Sequence, residues 1–199
     1  MLSIKNNVSN EIIIKKSKFI TFLFRVDSEE DTKLYLNDLN NKYNDATHIC
    51  YAYIIDGIKR FNDDGEPSKT AGMPILNVLE NKNLDHILCC VVRYFGGVKL
   101  GANGLVRAYG NSCIEAIDNG NIINLVLGKE VEITFLYDKT KLIDNILKDS
   151  IIIDKKYDSN VYYRFRISLD NYNIKYNDLI SNCFTVNELD DCYIEDEKN

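Results

Sequence analysis

The residues best placed to do chemistry lie in one run, RYFGGVKLGANGLVRAYG, from Arg93 to Gly110. It contains five glycines and three cations, Arg93, Lys99 and Arg107, and no acid. Bare backbone at Gly96, Gly97, Gly101 and Gly104 allows close approach to a ligand and tolerates positive φ. Guanidinium groups offer a bidentate fork to phosphate oxygens. Where such a run leaves a strand and enters a helix, the free N–H groups of the first turn face the same anion. The helix terminus contributes about 0.3–1 kcal/mol and each charge-assisted hydrogen bond about 1.5–3 kcal/mol, so the side chains dominate. No GK[ST] closes the run, and its glycine spacing is not GxGxxG, so neither nucleotide fingerprint applies. Tyr94 beside the cations suits base stacking and is expected to be partly exposed, with Phe95 buried. The competing reading is helix–sheet packing, with Arg93 and Arg107 in ion pairs to Asp63, Asp64 or Glu66.

A second constellation is the acidic loop DDGEPSKT. Asp63 and Asp64, with Glu66, are oxygen ligands of the kind Mg²⁺ accepts, which would imply an enzyme acting on a phosphorylated small molecule. Asp-Gly and Glu-Pro are equally plain turn chemistry, with Ser68 and Thr70 capping backbone groups. His48 and Cys50 share a strand face but are too few for a zinc site, and i, i+2 side chains seldom form a nucleophile–base pair. His86 reads as a strand-end residue. No catalytic residue, resident metal or cofactor is assigned from these patterns.

The elements that must position these groups are legible from periodicity. KFITFLFRV, with Ile20, Phe22, Phe24 and Val26 alternating, reads as a strand paired with the preceding EIII. Ser28 caps a helix carrying Leu34, Leu36 and Leu39 to about Lys42. THICYAYII is a strand, and Pro74 opens a helix through Ile75, Val78 and Leu79. HILCCVVRYF is apolar on both faces and reads as a central strand. After the glycine run, Leu105, Tyr109, Ser112, Cys113 and Ala116 recur at helical spacing. The remainder, EVEITFLY, TKLIDNILKD with Leu142, Ile146 and Leu147 inward, SIIIDKKY, VYYRFRISL, YNDLISNCF and TVNELDDCYIE, gives βαββαβ, the ferredoxin-like order. The boundary is placed near Gly128, and EDEKN is expected to be a solvated acidic tail. In VYYRFRISL, Tyr162, Arg164 and Arg166 form a basic–aromatic face that would serve as a secondary RNA surface.

Residues 1–128 carry 14 basic and 15 acidic side chains, and residues 129–199 carry 10 and 15, within a net charge of −6. Screening over about 8 Å keeps the acidic half from cancelling a compact basic patch. The start lacks a secretory signal, no run approaches a membrane span, and six cysteines show no CxxC pair. A cytoplasmic, reduced protein is expected.

RFNDDGEPSKTAGMPIL followed by VVRYFGGVKLGANGLVRAYG closely resembles the IMPACT/YigZ family, through most of residues 15–120, with both motifs in order. The resemblance implies an α+β fold of two domains. Residues 1–128 would resemble ribosomal protein S5 domain 2, and 129–199 the small C-terminal domain of bacterial members, similar to the last domain of elongation factor G. Eukaryotic relatives carry an extra N-terminal domain and compete for the activator of a starvation-sensing kinase; this chain has no room for that domain, so the kinase pathway is not carried over. Non-catalytic binding of RNA, the ribosome or a translation factor in regulation of translation is implied, with no DNA-specific motif and no membrane partner. A Mg²⁺-dependent enzyme and a protein-interaction module are the alternatives. The sequence departs from the family pattern at Lys69 and Asn103, where glycines are expected, and at Ile49 and Ile54, where polar residues are common.

Overall fold

The computed structural model describes residues 1–196; the end of the expected acidic tail, residues 197–199, lies outside the described residues. The chain divides into two compact units, Met1–Ile123 and Asn124–Asn199. No helix among the described residues is long and apolar enough to cross a membrane.

The first unit follows a short β1 (Leu2–Ile4) with an antiparallel sheet of β2 (Val8–Ile14), β3 (Ser17–Arg25), β4 (His48–Ile55), β5 (Ile58–Asn62) and β6 (Ile87–Tyr94). The order is β2-β3-β6-β4-β5, which puts β6 at the centre. Its composition demands that place, because both faces are covered. Ile87, Cys89 and Val91 pack with α2 (Gly72–Asn81) and α3 (Ala102–Asp118), while Leu88 and Cys90 join Leu39 of α1 (Glu29–Lys42) on the opposite face. In β3 the alternation Ile20, Phe22, Phe24 is only half-buried, and Phe19, Thr21 and Leu23 are the fully buried set. Ser28 caps α1 in a reciprocal box with Asp31, which satisfies two of its free N–H groups. Leu34 points outward at 66% exposure, so the inward stripe of α1 is built on Thr32 and Leu39 instead.

Two hairpins close on tight turns at positive φ. Asp56 and Gly57, both at positive φ, join β4 to β5, the two-residue geometry that matches strand twist. Lys15 and Lys16, at φ 47° and 69°, do the same between β2 and β3 without any glycine.

His86 is more than a strand end. It is 1% exposed at φ 51°, with Nδ1 3.3 Å from Asp27 and Nε2 3.2 Å from Asp56. Burial opposes the imidazolium, but hydrogen bonds to Asp27 and Asp56 and the charges of Asp56 and Asp85 prevail, raising the pKa above the ordinary 6.5. A folded-state pKa above the unfolded one stabilises fully below the unfolded value and is lost as pH rises through the folded value. Urea midpoints taken from about pH 6 to about pH 8.5 should therefore fall in the wild type and fall less in His86→Gln. Equal pH dependence in the two proteins would contradict the pairing.

The second unit takes β7 (Ile122–Phe135), α4 (Thr140–Ile146), β8 (Ile151–Tyr157), β9 (Val161–Ser168), α5 (Leu169–Asn182) and β10 (Thr185–Glu195) in βαββαβ order. Its antiparallel strands run β10-β7-β9-β8. Val131, Ile133, Tyr163, Phe165 and Ile167 meet Ile143, Leu147, Tyr172 and Leu179 in a separate core. Ile143 is the inward residue of α4, and Leu142 is 43% exposed. Gly128 lies inside β7, where a Cβ would stand 2.6 Å from the Ile167 carbonyl oxygen.

The opposite face of that sheet corrects the expected basic–aromatic surface. Arg164 Nε and Arg166 Nε donate to the two oxygens of Glu130 at 2.6 and 2.7 Å, and Tyr162 donates to Glu132. Burial alone would raise the Glu130 pKa, but the two guanidinium groups bring it below the ordinary value. These cations are engaged within the sheet, which leaves little net field for a polyanion.

Candidate functional site

The glycine run leaves β6 and enters α3, as its composition requires, and it separates its own cations. Arg93 is 5% exposed, with its guanidinium donating to Glu66 and lying 3.4 Å from Ser17 Oγ. The expected phosphate contact is therefore corrected at this residue. On a strand, Arg93 shares the face of Cys89 and Val91, which points to the helices, so an inward ion pair is its only stable state. Glu66 is itself 8% exposed and also accepts from Tyr109 Oη at 2.8 Å. Phe95 reverses its expectation in the other direction, at 45% exposure. Tyr94 is half-buried as expected and donates to Asp45 at 2.7 Å.

Residues 97–104 stay at or near the surface, while Leu105, Ala108 and Tyr109 are buried in the core. Gly97 and Gly101 take positive φ, 81° and 72°. Gly101 starts α3 without a side-chain cap, and the first turn holds no acid, so its leading N–H groups, up to Gly104, lack intrahelical acceptors. Lys99 and Arg107 are exposed, and no carboxylate among the described residues engages either. Gly96 serves a different purpose. A Cβ there would fall 2.0 Å from the carbonyl carbon and oxygen of Lys16, and its N–H donates to Ser17 Oγ at 3.2 Å. The glycine thus seats the β2–β3 turn against the loop and brings exposed Lys15 and Lys16 to it. Sequence reasoning missed these two lysines, because no glycine or asparagine marks their turn.

The acidic loop is built into the scaffold. Asp63 accepts from the N–H groups of Lys69, Ala71 and Gly72 at 2.7, 3.0 and 2.8 Å, closing the start of α2. Asp64 accepts from Ile49 N–H at 2.6 Å, and Thr70 Oγ1 donates to the Pro67 carbonyl at 2.6 Å, while Ser68 is exposed. Asp63 and Asp64 thereby turn their carboxylates to separate backbone donors, which corrects their candidacy as a Mg²⁺ pair. Lys69 sits at φ 62°, left-handed backbone where glycine is the unstrained residue; this accounts for the glycine expected there.

Beneath the loop, His48 Nδ1 lies 2.6 Å from the Asp64 carbonyl oxygen, and Cys50 Sγ lies 3.0 Å from the Asp63 carbonyl oxygen and 3.4 Å from Tyr109 Oη. Burial pushes the Cys50 thiol up to about 12, with Tyr109 partly offsetting and the nearby carboxylates adding. A thiol so protonated is no nucleophile at neutral pH. A cavity of about 530 Å³ in the second unit is lined by Asp149, Ser168, Asp170 and Glu195 among others, away from the loop in sequence. The loop presents a surface.

The chain is similar to known proteins over most of its length. Residues 15–117 match the family described as Impact N-terminal domain. The chain is 39% identical to the IMPACT family member YvyE of Bacillus subtilis over 85% of this chain and 78% of that protein. It is 41% identical to the IMPACT family member YigZ of Escherichia coli over 52% of this chain and 53% of that one, about half its length. A crystal structure described only as a hypothetical protein superposes with TM-score 0.66 at 30% identity, covering 94% of this chain and 95% of the other.

Proposed function

The chain belongs to the IMPACT family, and on that premise we propose that it binds RNA, free or within the ribosome, without catalytic turnover, in the regulation of translation. What supports this is that Lys99 and Arg107 stand exposed and unengaged on either side of the uncapped start of α3, and that the Lys15–Lys16 turn is seated against Gly96 of the same run. Phosphate contacts from four such cations supply affinity that depends on salt and not on base identity. Arg93 and the acidic loop hold this surface in shape. The strand order of the second unit supports a ferredoxin-like reading, and the sheet-and-helix layering of the first is compatible with a ribosomal protein S5 domain 2-like reading. A cytoplasmic setting goes with this role.

Ultraviolet crosslinking in cells, with peptides mapped by mass spectrometry, tests it. The account expects RNA adducts on peptides spanning Lys15–Lys18 and Phe95–Arg107. Protein partners that survive nuclease treatment, with no RNA adduct on those peptides, would replace RNA by a translation factor or another protein as the bound partner.

A further inference from the structure

At the rim of the first unit, the His48 ring faces the buried Glu66 carboxylate. The Asp64 carbonyl can only accept, so His48 Nδ1, 2.6 Å away, carries the ring proton. In the neutral ring Nε2 then presents a lone pair toward Glu66 Oε2, 3.9 Å distant. Arg93 and Tyr109 both donate to the other carboxylate oxygen, Oε1, which leaves Oε2 without a donor among the described residues. Arg93 Nε is buried with no acceptor. Native folds rarely leave a buried donor such as this one unmet. The same guanidinium lies 5.6 Å from the centroid of the half-exposed Phe95 ring. An aromatic surface backed by a cation therefore stands open beside an acceptor pair.

From this juxtaposition we propose a seat for a single unstacked RNA base, which stacks on Phe95 and turns an exocyclic amino group toward His48 Nε2 and Glu66 Oε2. The amino groups of cytidine, adenosine and guanosine bring two hydrogens to two acceptors. Uridine brings its O4 acceptor in the equivalent place and is disfavoured. A site of unmet polar groups discriminates strongly against a ligand that lacks the matching group. The inference rests on the RNA-binding reading above and adds base selection to it.

Fluorescence anisotropy with labelled cytidine and uridine octamers tests the seat on the full chain. The wild type should bind the cytidine octamer about tenfold more tightly, the effect of roughly one charge-assisted hydrogen bond. His48→Ala should bring that ratio close to one, by weakening the cytidine octamer and relieving the acceptor–acceptor clash with uridine. Phe95→Ala, at an exposed position, should weaken both octamers by at least about fivefold. A wild-type ratio near one overturns the seat without any variant, as does a preference that survives His48→Ala in a protein that still melts cooperatively. Failure of both octamers while a structured RNA still binds overturns the seat and leaves the RNA reading standing. Failure of every RNA overturns both.

Discussion

Arg93→Met should destabilise the first unit by about 3–5 kcal/mol, because it leaves the Glu66 carboxylate buried without its cation. Glu66 has a 4% exposed side chain and holds Arg93 on the same oxygen that accepts from Tyr109, so water cannot take the cation's place. The double variant Arg93→Met, Glu66→Gln should recover much of the loss, since a neutral amide removes the stranded charge and still accepts from Tyr109. Urea denaturation of the wild type, Arg93→Met, Glu66→Gln and the double variant closes the cycle. Were Arg93 a ligand-facing cation, the single variant would keep its stability and lose RNA affinity.

That outcome turns on a position whose burial was open to deduction from sequence. Arg93 follows Cys89 and Val91 at two-residue intervals in a strand apolar on both faces, so its side chain has to enter the helix-covered side. The central strand was legible from its unbroken apolar run, and the glycine-run helix and the βαββαβ tail from the period of their apolar residues. β5 was missed because IKRFN is an exposed edge strand with no alternating apolar set to announce it; the Asp56-Gly57 dipeptide was its available signal. Phe95 misled because aromatic character forecasts burial, whereas here it lies just past the end of β6. The Lys15–Lys16 turn carried no local signal. It is fixed from outside by the approach of Gly96, a contact between residues far apart in the chain.

Gly96→Ala is accordingly expected to be the most damaging small substitution in the loop. Its Cβ would meet backbone atoms of Lys16 at 2.0 Å and Ser17 N at 2.4 Å, and neither can rotate away as a flexible side chain would. The turn must move, at a cost of at least about 3 kcal/mol for so severe an overpacking. The Ser17 hydroxyl, which receives Gly96 N–H and lies near Arg93, moves with it. RNA affinity should fall as well, because Lys15 and Lys16 part from Lys99. Gly97→Ala is the control: its Cβ meets nothing within 4 Å, so only the positive φ is penalised, by about 1–2 kcal/mol. Equal melting temperatures for the two variants would contradict the seating of the turn by Gly96.

The most direct measurement is the salt dependence of RNA binding in wild type and in Lys99→Ala, Arg107→Ala. Affinity for a structured RNA, titrated across potassium chloride concentrations, gives a logarithmic slope that counts released counterions. Loss of two phosphate contacts should flatten that slope by roughly 1.4 to 1.8 with the melting temperature almost unchanged. An unaltered slope and affinity in a fully folded double variant would mean that the exposed loop does not touch the polyanion.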